Sequence, residues 1–232
     1  MTNPEDMAFP PSIGNAEFEA VTSYDGDVIS EMISLFVKRL HAYLESLDCL
    51  KGIHYLHHYR ISDDDKKTGK DFLIDCFSTE YSRQDKPDLG GAVSTYYGDF
   101  DEAHIGISLF PSHFRIGLGF KLVGCYFQDA CAARERFTNV LKDDSDEIQQ
   151  LVRCNHFEIE AYGGRGHVGF MFIPPERAVD WLVAERNERF MWLYLGRILM
   201  RGRDRAVLEN PVAFGGAIES ALVALRVLWD KL

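Results

Sequence analysis

The chain has 232 residues, 46% of them hydrophobic and 26% charged, and carries a formal net charge of −11. These proportions are typical of a globular protein with room for a substantial core. The negative charge repels nucleic acid, and no apolar run approaches the roughly 18 residues that span a bilayer. We therefore expect neither a nucleic-acid partner nor a membrane-spanning segment.

The cysteines and the N-terminal sequence indicate the cellular compartment. The five cysteines are odd in number and include no C-x-x-C pair, a pattern that favours reduced thiols over disulfides. The first residues, MTNPEDMAFPPSIGN, are acidic and contain prolines, unlike the basic and then apolar start of a signal peptide. We therefore expect a cytoplasmic, bacterial protein.

The first part of the chain predicts a loose start followed by a helix and several strands. We expect residues 1–15 to be disordered or loosely packed, and residues 16–232 to form a single domain because no linker divides them. Apolar residues at helical spacing predict a helix from Asp27 to about Asp48. Aromatic and β-branched residues predict strands over 53–61, 72–77 and 92–97.

Residues 103–122 carry the clearest secondary-structure signal in the chain. Apolar residues alternate with small or polar ones on both sides of a Phe-Pro-Ser-His turn, which predicts a β-hairpin. In the register of this turn Ile107 faces Ile116, and the other apolar residues also meet apolar ones. Gly106 lies opposite Gly117 on the other face, so we expect another element, or a ligand, to approach the backbone there.

A second hairpin is predicted after residue 156. Apolar residues again alternate along both arms, and a glycine-rich turn over 163–166 separates them. The expected register pairs Ile159 with Phe170 and Phe157 with Phe172.

Helices and one buried strand complete the second half. Four helices are predicted here. Two of them cover 126–141 and 175–187, one follows a capping box formed by Asp144 and Glu147, and the last starts at Asn210-Pro211. Residues 190–200 are nearly all apolar and favour a buried strand, with a helix as the alternative. The expected fold is α+β: a mostly antiparallel sheet built from hairpins and flanked by amphipathic helices, including N- and C-terminal ones.

Two groups of histidines and carboxylates are weak candidates for a metal or acid–base site. On the first predicted strand His54 and His58 share a face, although two imidazoles need a third ligand and half-buried histidines explain the pattern as well. The second hairpin offers four polar residues that combine carboxylate with imidazole. These four are His156, Glu158, Glu160 and His167. A strand face exposed to solvent is the commoner explanation for the second group.

The arginines near the C-terminus are candidates for anion recognition. Arg197, Arg201 and Arg203 lie close together in the sequence, and guanidinium groups bind carboxylate or phosphate in bidentate fashion. The alternative is that they dock against acidic residues of the protein's own N-terminal part.

The uneven distribution of charge bears most directly on function. Residues 1–102 carry 20 acidic and 9 basic side chains, whereas the remaining residues carry 16 of each. The acidic run Asp63, Asp64 and Asp65 belongs to the first part, which favours a basic protein partner. No catalytic motif is recognisable, so we expect a macromolecule-binding protein of the immunity, antitoxin or acidic-adaptor kind. We expect no cofactor, and the sequence allows a homo-oligomer. The alternative is a metal-dependent hydrolase that uses the strand-borne histidines and carboxylates.

Overall fold

The computed structural model describes residues 10–22, 31–50, 58–61, 72–75, 104–121, 138–162, 170–184, 192–229 and 231. The strands are β1 (His58–Ile61), β2 (Phe72–Asp75), β3 (His104–Leu109), β4 (His113–Lys121), β5 (Phe157–Tyr162), β6 (Met171–Ile173) and β7 (Trp192–Met200). The helices are α1 (Asn15–Thr22), α2 (Glu31–Ser46), α3 (Ser145–Cys154), α4 (Pro175–Ala184), α5 (Arg205–Leu208) and α6 (Pro211–Trp229), with a 3₁₀ turn at Asp48–Leu50 and a helical stretch over 138–143.

The strands form one antiparallel sheet in the order β1-β2-β3-β4-β7-β5-β6. This arrangement confirms the predicted α+β class, with helices near both ends of the chain. Trp192–Met200 of the apolar segment 190–200 forms β7, which confirms the predicted strand over the helix alternative. β7 lies between the hairpins β3–β4 and β5–β6 and joins them into one sheet.

The central hairpin has the predicted register. Ile107 pairs with Ile116, and Gly106 pairs with Gly117. The close approach expected at the glycine face comes from the neighbouring strand, because a Cβ on Gly117 would lie 3.3 Å from the carbonyl oxygen of Leu195 on β7. A Cβ on Gly196 would overlap the backbone of β4, so both glycines serve the tight pairing of β4 with β7.

The predicted register of the second hairpin is wrong. Ile159 pairs with Ile173, and Glu160 pairs with Phe172. The shift from the expected partner Phe170 is three residues, an odd number, so Phe172 lies on the opposite face of the sheet from the one predicted. Both faces are buried here, and apolar alternation therefore does not distinguish them.

Helices α3, α4 and α6 begin where the sequence predicts, but one of the two expected caps is different. Helix α1 was not predicted, and the expected helix start at Asp27 lies outside the described residues. The side chain of Asn210 accepts hydrogen bonds from the N–H groups of Val212 (3.0 Å) and Ala213 (3.1 Å) and so caps α6. Asp144 precedes α3 but makes no side-chain cap bond. Its carboxylate instead accepts a 2.8 Å hydrogen bond from Lys231 near the C-terminus, so the predicted capping box does not form.

Helices cover one face of the sheet and form the main core with it. Phe114 on β4 contacts Phe36 of α2 and Phe214 of α6, with ring centroids 6.5 and 4.9 Å apart. Among the described helices α6 alone is long and apolar enough to span a membrane, but its apolar stripe lies in this core, which makes it weak evidence for a span. By length and composition α6 does not agree with the expectation that no apolar run approaches a bilayer span.

The segment before α1 is more ordered than expected. Ile13 is fully buried, and its N–H donates a 2.8 Å hydrogen bond to the carbonyl of Leu208. Residues 10–14 therefore pack against the core instead of being loosely attached. Residues 1–9, the predicted strand over 92–97 and the first part of the predicted helix over 126–141 lie outside the described residues.

Candidate functional site

Four polar side chains are fully buried on the face of the sheet opposite the main core. They are Ser108, His113, Arg115 and Glu160. Arg115 forms an ion pair with one carboxylate oxygen of Glu160 and donates a 2.7 Å hydrogen bond to the hydroxyl of Ser108. His113 Nε2 lies 2.7 Å from the other carboxylate oxygen of Glu160. The four side chains thus form one hydrogen-bonded network drawn from three strands.

The network keeps Glu160 ionised despite its burial. Desolvation alone would raise the pKa of this carboxyl group, but the positive charge of Arg115 and the hydrogen bonds from Arg115 and His113 outweigh it. The pKa of Glu160 therefore lies below its ordinary value of 4.5. A buried pair of this kind stabilises the fold little by itself, yet removing one partner leaves a buried charge and costs several kcal/mol.

Aromatic rings surround the network and separate it from solvent. The imidazole of His113 stacks on Phe110 at 4.5 Å and meets the edges of Phe170 and Phe172 at 5.1 and 5.3 Å. The guanidinium carbon of Arg115 lies 3.3 Å from the ring centroid of Tyr194. This cation–π contact adds to the ion pair and fixes the plane of the guanidinium group.

The exposed hydroxyl of Ser112 is connected to the network. It lies 2.9 Å from His113 Nδ1, while Nε2 of the same ring faces the Glu160 carboxylate. Because an ionised carboxylate only accepts hydrogen bonds, His113 Nε2 must carry a proton. The order hydroxyl, imidazole, carboxylate resembles that of nucleophilic sites, but the His113 ring is completely buried and Ser112 does not line the pocket described next. The network is therefore interpreted as a structural clamp.

An open pocket of about 530 Å³ lies beside this network, with Phe172 in its wall. The other lining residues are His156, Glu158, Pro174, Pro175, Glu176, Arg197, Arg203 and Asp204. This volume is within the range of pockets that hold small ligands or single side chains of a partner. The pocket is formed by the start of β5, the β6–α4 junction, β7 and the turn before α5.

Arg203 is firmly held on one side of the pocket. Its guanidinium group lies 2.6 Å from the carboxylate of Glu158 and 2.8 Å from that of Asp204. A third hydrogen bond of 2.8 Å goes to the carbonyl of Ile198. Burial lowers the pKa of Arg203, but the hydrogen bonds to Glu158 and Asp204 outweigh this effect and raise it. Its charge is thus neutralised by two carboxylates of the pocket.

Arg197 is different, because no carboxylate pairs with it among the described residues. Its one hydrogen bond there is a 3.2 Å bond from Nη1 to the carbonyl of Asn155, and its buried Nε has no partner. The guanidinium group is half-buried, and this desolvation lowers the pKa of Arg197 below its ordinary value. The charge of Arg203 acts in the same direction, and the nearby carboxylates of Asp204 and Glu158 oppose it without pairing directly with Arg197. The pocket wall therefore contains a partly desolvated cation without a direct counter-ion.

His156 enters the pocket from a strained backbone position. Its φ angle is 53°, in the left-handed region, and its N–H donates a 3.1 Å bond to the carbonyl of Arg153 at the end of α3. Glycine usually occupies such a position after a helix, although histidine tolerates it better than most residues. A side chain at this strained position, in the wall of a pocket, is a feature often associated with function.

The structure brings together residues that the sequence placed in two separate groups. Glu158 and His156 of the second hairpin share the pocket with Arg197 and Arg203 of the arginine cluster. Arg201 lies elsewhere: it pairs with Glu19 on α1 and accounts for the expected docking on the acidic N-terminal part. Glu160 is fully buried, so the solvent-exposed interpretation of its strand face is wrong for this residue.

The described residues contain no cluster of side chains that would support the predicted metal sites. Within the described residues no three histidine, cysteine or acidic side chains are close enough to hold a metal ion. His54, His167 and the acidic run 63–65 lie outside the described residues, and His58 is described as part of β1 without its side chain. A metal site that uses them stays a prediction.

Two important residues were missed at the level of sequence. His113 and Arg115 lie on the same face of β4 as Gly117, the face for which the sequence predicted only a close approach at the glycines. The available signal was a buried-strand pattern with opposite charges, Arg115 on one hairpin and Glu160 on the other. Their pairing depends on the strand order, which alternation within each hairpin does not encode.

No protein-family model matches the chain, and a comparison with curated proteins gives no match. The side chains of the pocket and of the buried network are therefore the basis for a functional proposal.

Proposed function

We propose that the protein is a cytoplasmic binding protein that recognises an oxyanionic group of a protein partner in the pocket at Arg197. The observation that carries the proposal is the half-buried guanidinium group of Arg197, which has no carboxylate partner among the described residues. The lack of a recognisable catalytic motif in the sequence favours binding over catalysis.

An anionic ligand would offset a cost that the free protein bears at Arg197. Removing a cation from water is unfavourable unless an opposite charge or good hydrogen bonds replace the water. The one bond from Arg197 to Asn155 leaves most of the donor capacity of the guanidinium group unused. Carboxylate and phosphate oxygens match this donor geometry, and Arg203 next to it is already neutralised by Glu158 and Asp204.

The net charge of residues 1–102 and the direct contact at Arg197 would have different effects on the partner. Residues 1–102 carry a net charge of −11 and would attract a partner whose overall charge is positive. The anionic group would then be a local feature of a basic partner. Under this proposal Asp63, Asp64 and Asp65 contribute to the approach of the partner, whereas Arg197 contributes to the bound state.

The test is capture of the partner from the native host with immobilised protein. Wild-type protein should retain a specific protein that Arg197→Gln loses, because the variant removes the cation and preserves much of the side-chain volume. Arg205→Gln is the matched control, since Arg205 is exposed outside the pocket and pairs with Glu209 on its own helix. Equal capture by Arg197→Gln and wild type would refute a role for the pocket.

Association kinetics test the charge of the partner. The on-rate for the captured protein should fall steeply as salt rises to about 0.5 M, where the Debye length is about 4 Å. Changing Asp63, Asp64 and Asp65 together to asparagine should lower the on-rate at low salt. An acidic partner, or an on-rate that ignores salt, would contradict the steering role. Stoichiometric zinc or manganese in purified protein, lost in a His54→Ala, His58→Ala variant, would favour the metal-dependent hydrolase instead.

A further inference from the structure

The pocket presents two opposite charges that no ion pair neutralises among the described residues. One is the half-buried guanidinium group of Arg197. The other is the carboxylate of Glu176, an exposed residue in the first turn of α4. The two side chains line the same cavity, yet no salt bridge joins them.

The remaining charges of the pocket are already matched. Glu158 and Asp204 both pair with Arg203, at 2.6 and 2.8 Å. A ligand that entered the pocket would therefore meet one cation and one anion still available for pairing. A ligand with one positive and one negative group can pair with both of these charges, so it is bound better than a ligand with a single charge.

The uncharged part of the lining fits a short carbon chain. Phe172, Pro174 and Pro175 contribute apolar surface to the same cavity, whose volume is about 530 Å³. Methylene groups gain free energy when they leave water for such a surface. The lining thus combines a cationic end, an anionic end and apolar walls.

We infer that the pocket binds a zwitterionic group, with its carboxylate on Arg197 and its cation on Glu176. This inference rests on the proposed function and specifies the chemistry of the recognised group. A free amino acid has this chemistry, and so does the C-terminal lysine or arginine of a protein. The second source would agree with a basic protein partner that inserts an anionic group.

Three related probes separate the contributions of the two charges. Nα-acetyl-lysine carries a carboxylate and a side-chain ammonium, its amide lacks the carboxylate, and Nα-acetyl-norleucine lacks the ammonium. In calorimetric titrations of the full chain, Nα-acetyl-lysine should bind at least about tenfold more tightly than its amide, since a charge-assisted contact with the half-buried Arg197 is worth about 1.4 kcal/mol or more. It should bind up to about fivefold more tightly than Nα-acetyl-norleucine, a smaller ratio because Glu176 is exposed to water.

Variants assign each charge to its residue. Glu176→Gln should reduce the affinity for Nα-acetyl-lysine to that for Nα-acetyl-norleucine, and Arg197→Gln should abolish the binding of both. Glu31→Gln is the matched control, because Glu31 is likewise an exposed residue in the first turn of a helix but does not line the pocket. It should bind all three probes like the wild type.

The outcomes distinguish this inference from the proposal on which it rests. Equal affinity for Nα-acetyl-lysine and Nα-acetyl-norleucine would overturn the zwitterion and leave an anion pocket. Failure of all three probes to bind would also overturn the zwitterion inference. The proposed function would be refuted as well only if Arg197→Gln still captured the partner. Tighter binding of a peptide ending in lysine than of free lysine would identify a protein C-terminus as the source, and the reverse order a free amino acid.

Discussion

Arg115 on β4 and Glu160 on β5 form an ion pair across β7, the strand that separates theirs in the sheet. The direct neighbours of the pair on β7 are Ile198, opposite Arg115, and Tyr194, opposite Glu160. The guanidinium group spans this strand and stacks on the Tyr194 ring. One buried charge pair therefore fixes the order and register of three strands, in addition to their backbone hydrogen bonds.

Removing one partner of this ion pair leaves the other charge buried, so the two single variants together should lose more stability than the double variant. Arg115→Met should lower the free energy of unfolding by about 3–5 kcal/mol, because it leaves the Glu160 charge buried without its main partner. Glu160→Met should have a cost of similar size. The double variant should cost clearly less than the two single changes together, since no uncompensated charge remains. Urea unfolding of the three variants measures this coupling.

An exposed ion pair supplies the control for that cycle. Arg201 pairs with Glu19, and both side chains are partly exposed. Arg201→Met should change stability by about 1 kcal/mol or less, because such pairs contribute little in water. Additive costs for the variants of Arg115 and Glu160 would contradict the clamp.

The contribution of Glu160 should depend on pH in a defined direction. Its pKa in the folded protein is lower than the ordinary 4.5, so the unfolded chain takes up the proton first as the pH falls. The stability that the ionised carboxylate provides is fully present above pH 4.5 and is lost as the pH falls through the folded-state pKa. The difference in unfolding free energy between wild type and Glu160→Gln should therefore shrink as the pH falls below 4.5. A difference that grows on acidification would mean that Glu160 is protonated in the folded protein.

Two glycines should respond in opposite ways to the same change. Gly196→Ala places a Cβ inside the backbone of Ile116 and Gly117, so we expect a loss of about 3 kcal/mol or more as β4 and β7 are forced apart. Gly216→Ala, on the exposed side of α6 with no atom within 4 Å of the new Cβ, should stabilise the protein by about 0.5–1 kcal/mol. Thermal unfolding compares them, and wild-type melting of Gly196→Ala would refute the close approach of the two strands.

The cap of α6 gives a smaller and well-defined effect. Asn210→Ala removes the acceptor for the N–H groups of Val212 and Ala213 and should cost about 0.5–2 kcal/mol. Ser220→Ala, on the exposed face in the middle of the same helix, should be neutral or slightly stabilising. Denaturant midpoints measure both variants, provided that the slope of unfolding free energy against denaturant stays constant. A midpoint of Asn210→Ala equal to that of the wild type would show that Asn210 does not cap the helix.

The sequence was sufficient for the central hairpin because local information determines it. A short turn sets the register, and any slip would move Ile107 and Ile116 away from each other and from the core. The same holds for α6, where a capping residue and a single apolar stripe agree with each other. In both elements, neighbours along the chain are also neighbours in space.

The second hairpin shows where this local information ends. Its first strand ends at Tyr162 and its second begins at Met171. Phe172 faces His113 on the far side of the sheet, whereas Ile173 faces the helices. Apolar residues are favourable on both faces, so their alternation permits either register. The pocket has the same origin: Glu158 and Arg203 form an ion pair because β7 lies beside β5, although the two residues are distant in sequence.

The position of β7 has a consequence for how the protein is made. The strand that joins the two hairpins is contributed by Trp192–Met200, which follows both of them in the chain. While a ribosome is still synthesising the preceding residues, β4 and β5 each have an open edge whose native partner does not yet exist, and open edges can pair with other chains. The native sheet, and with it the pairing of Arg115 and Glu160, forms only after β7 has been synthesised, so chaperones that cover strand edges should matter most before β7 emerges.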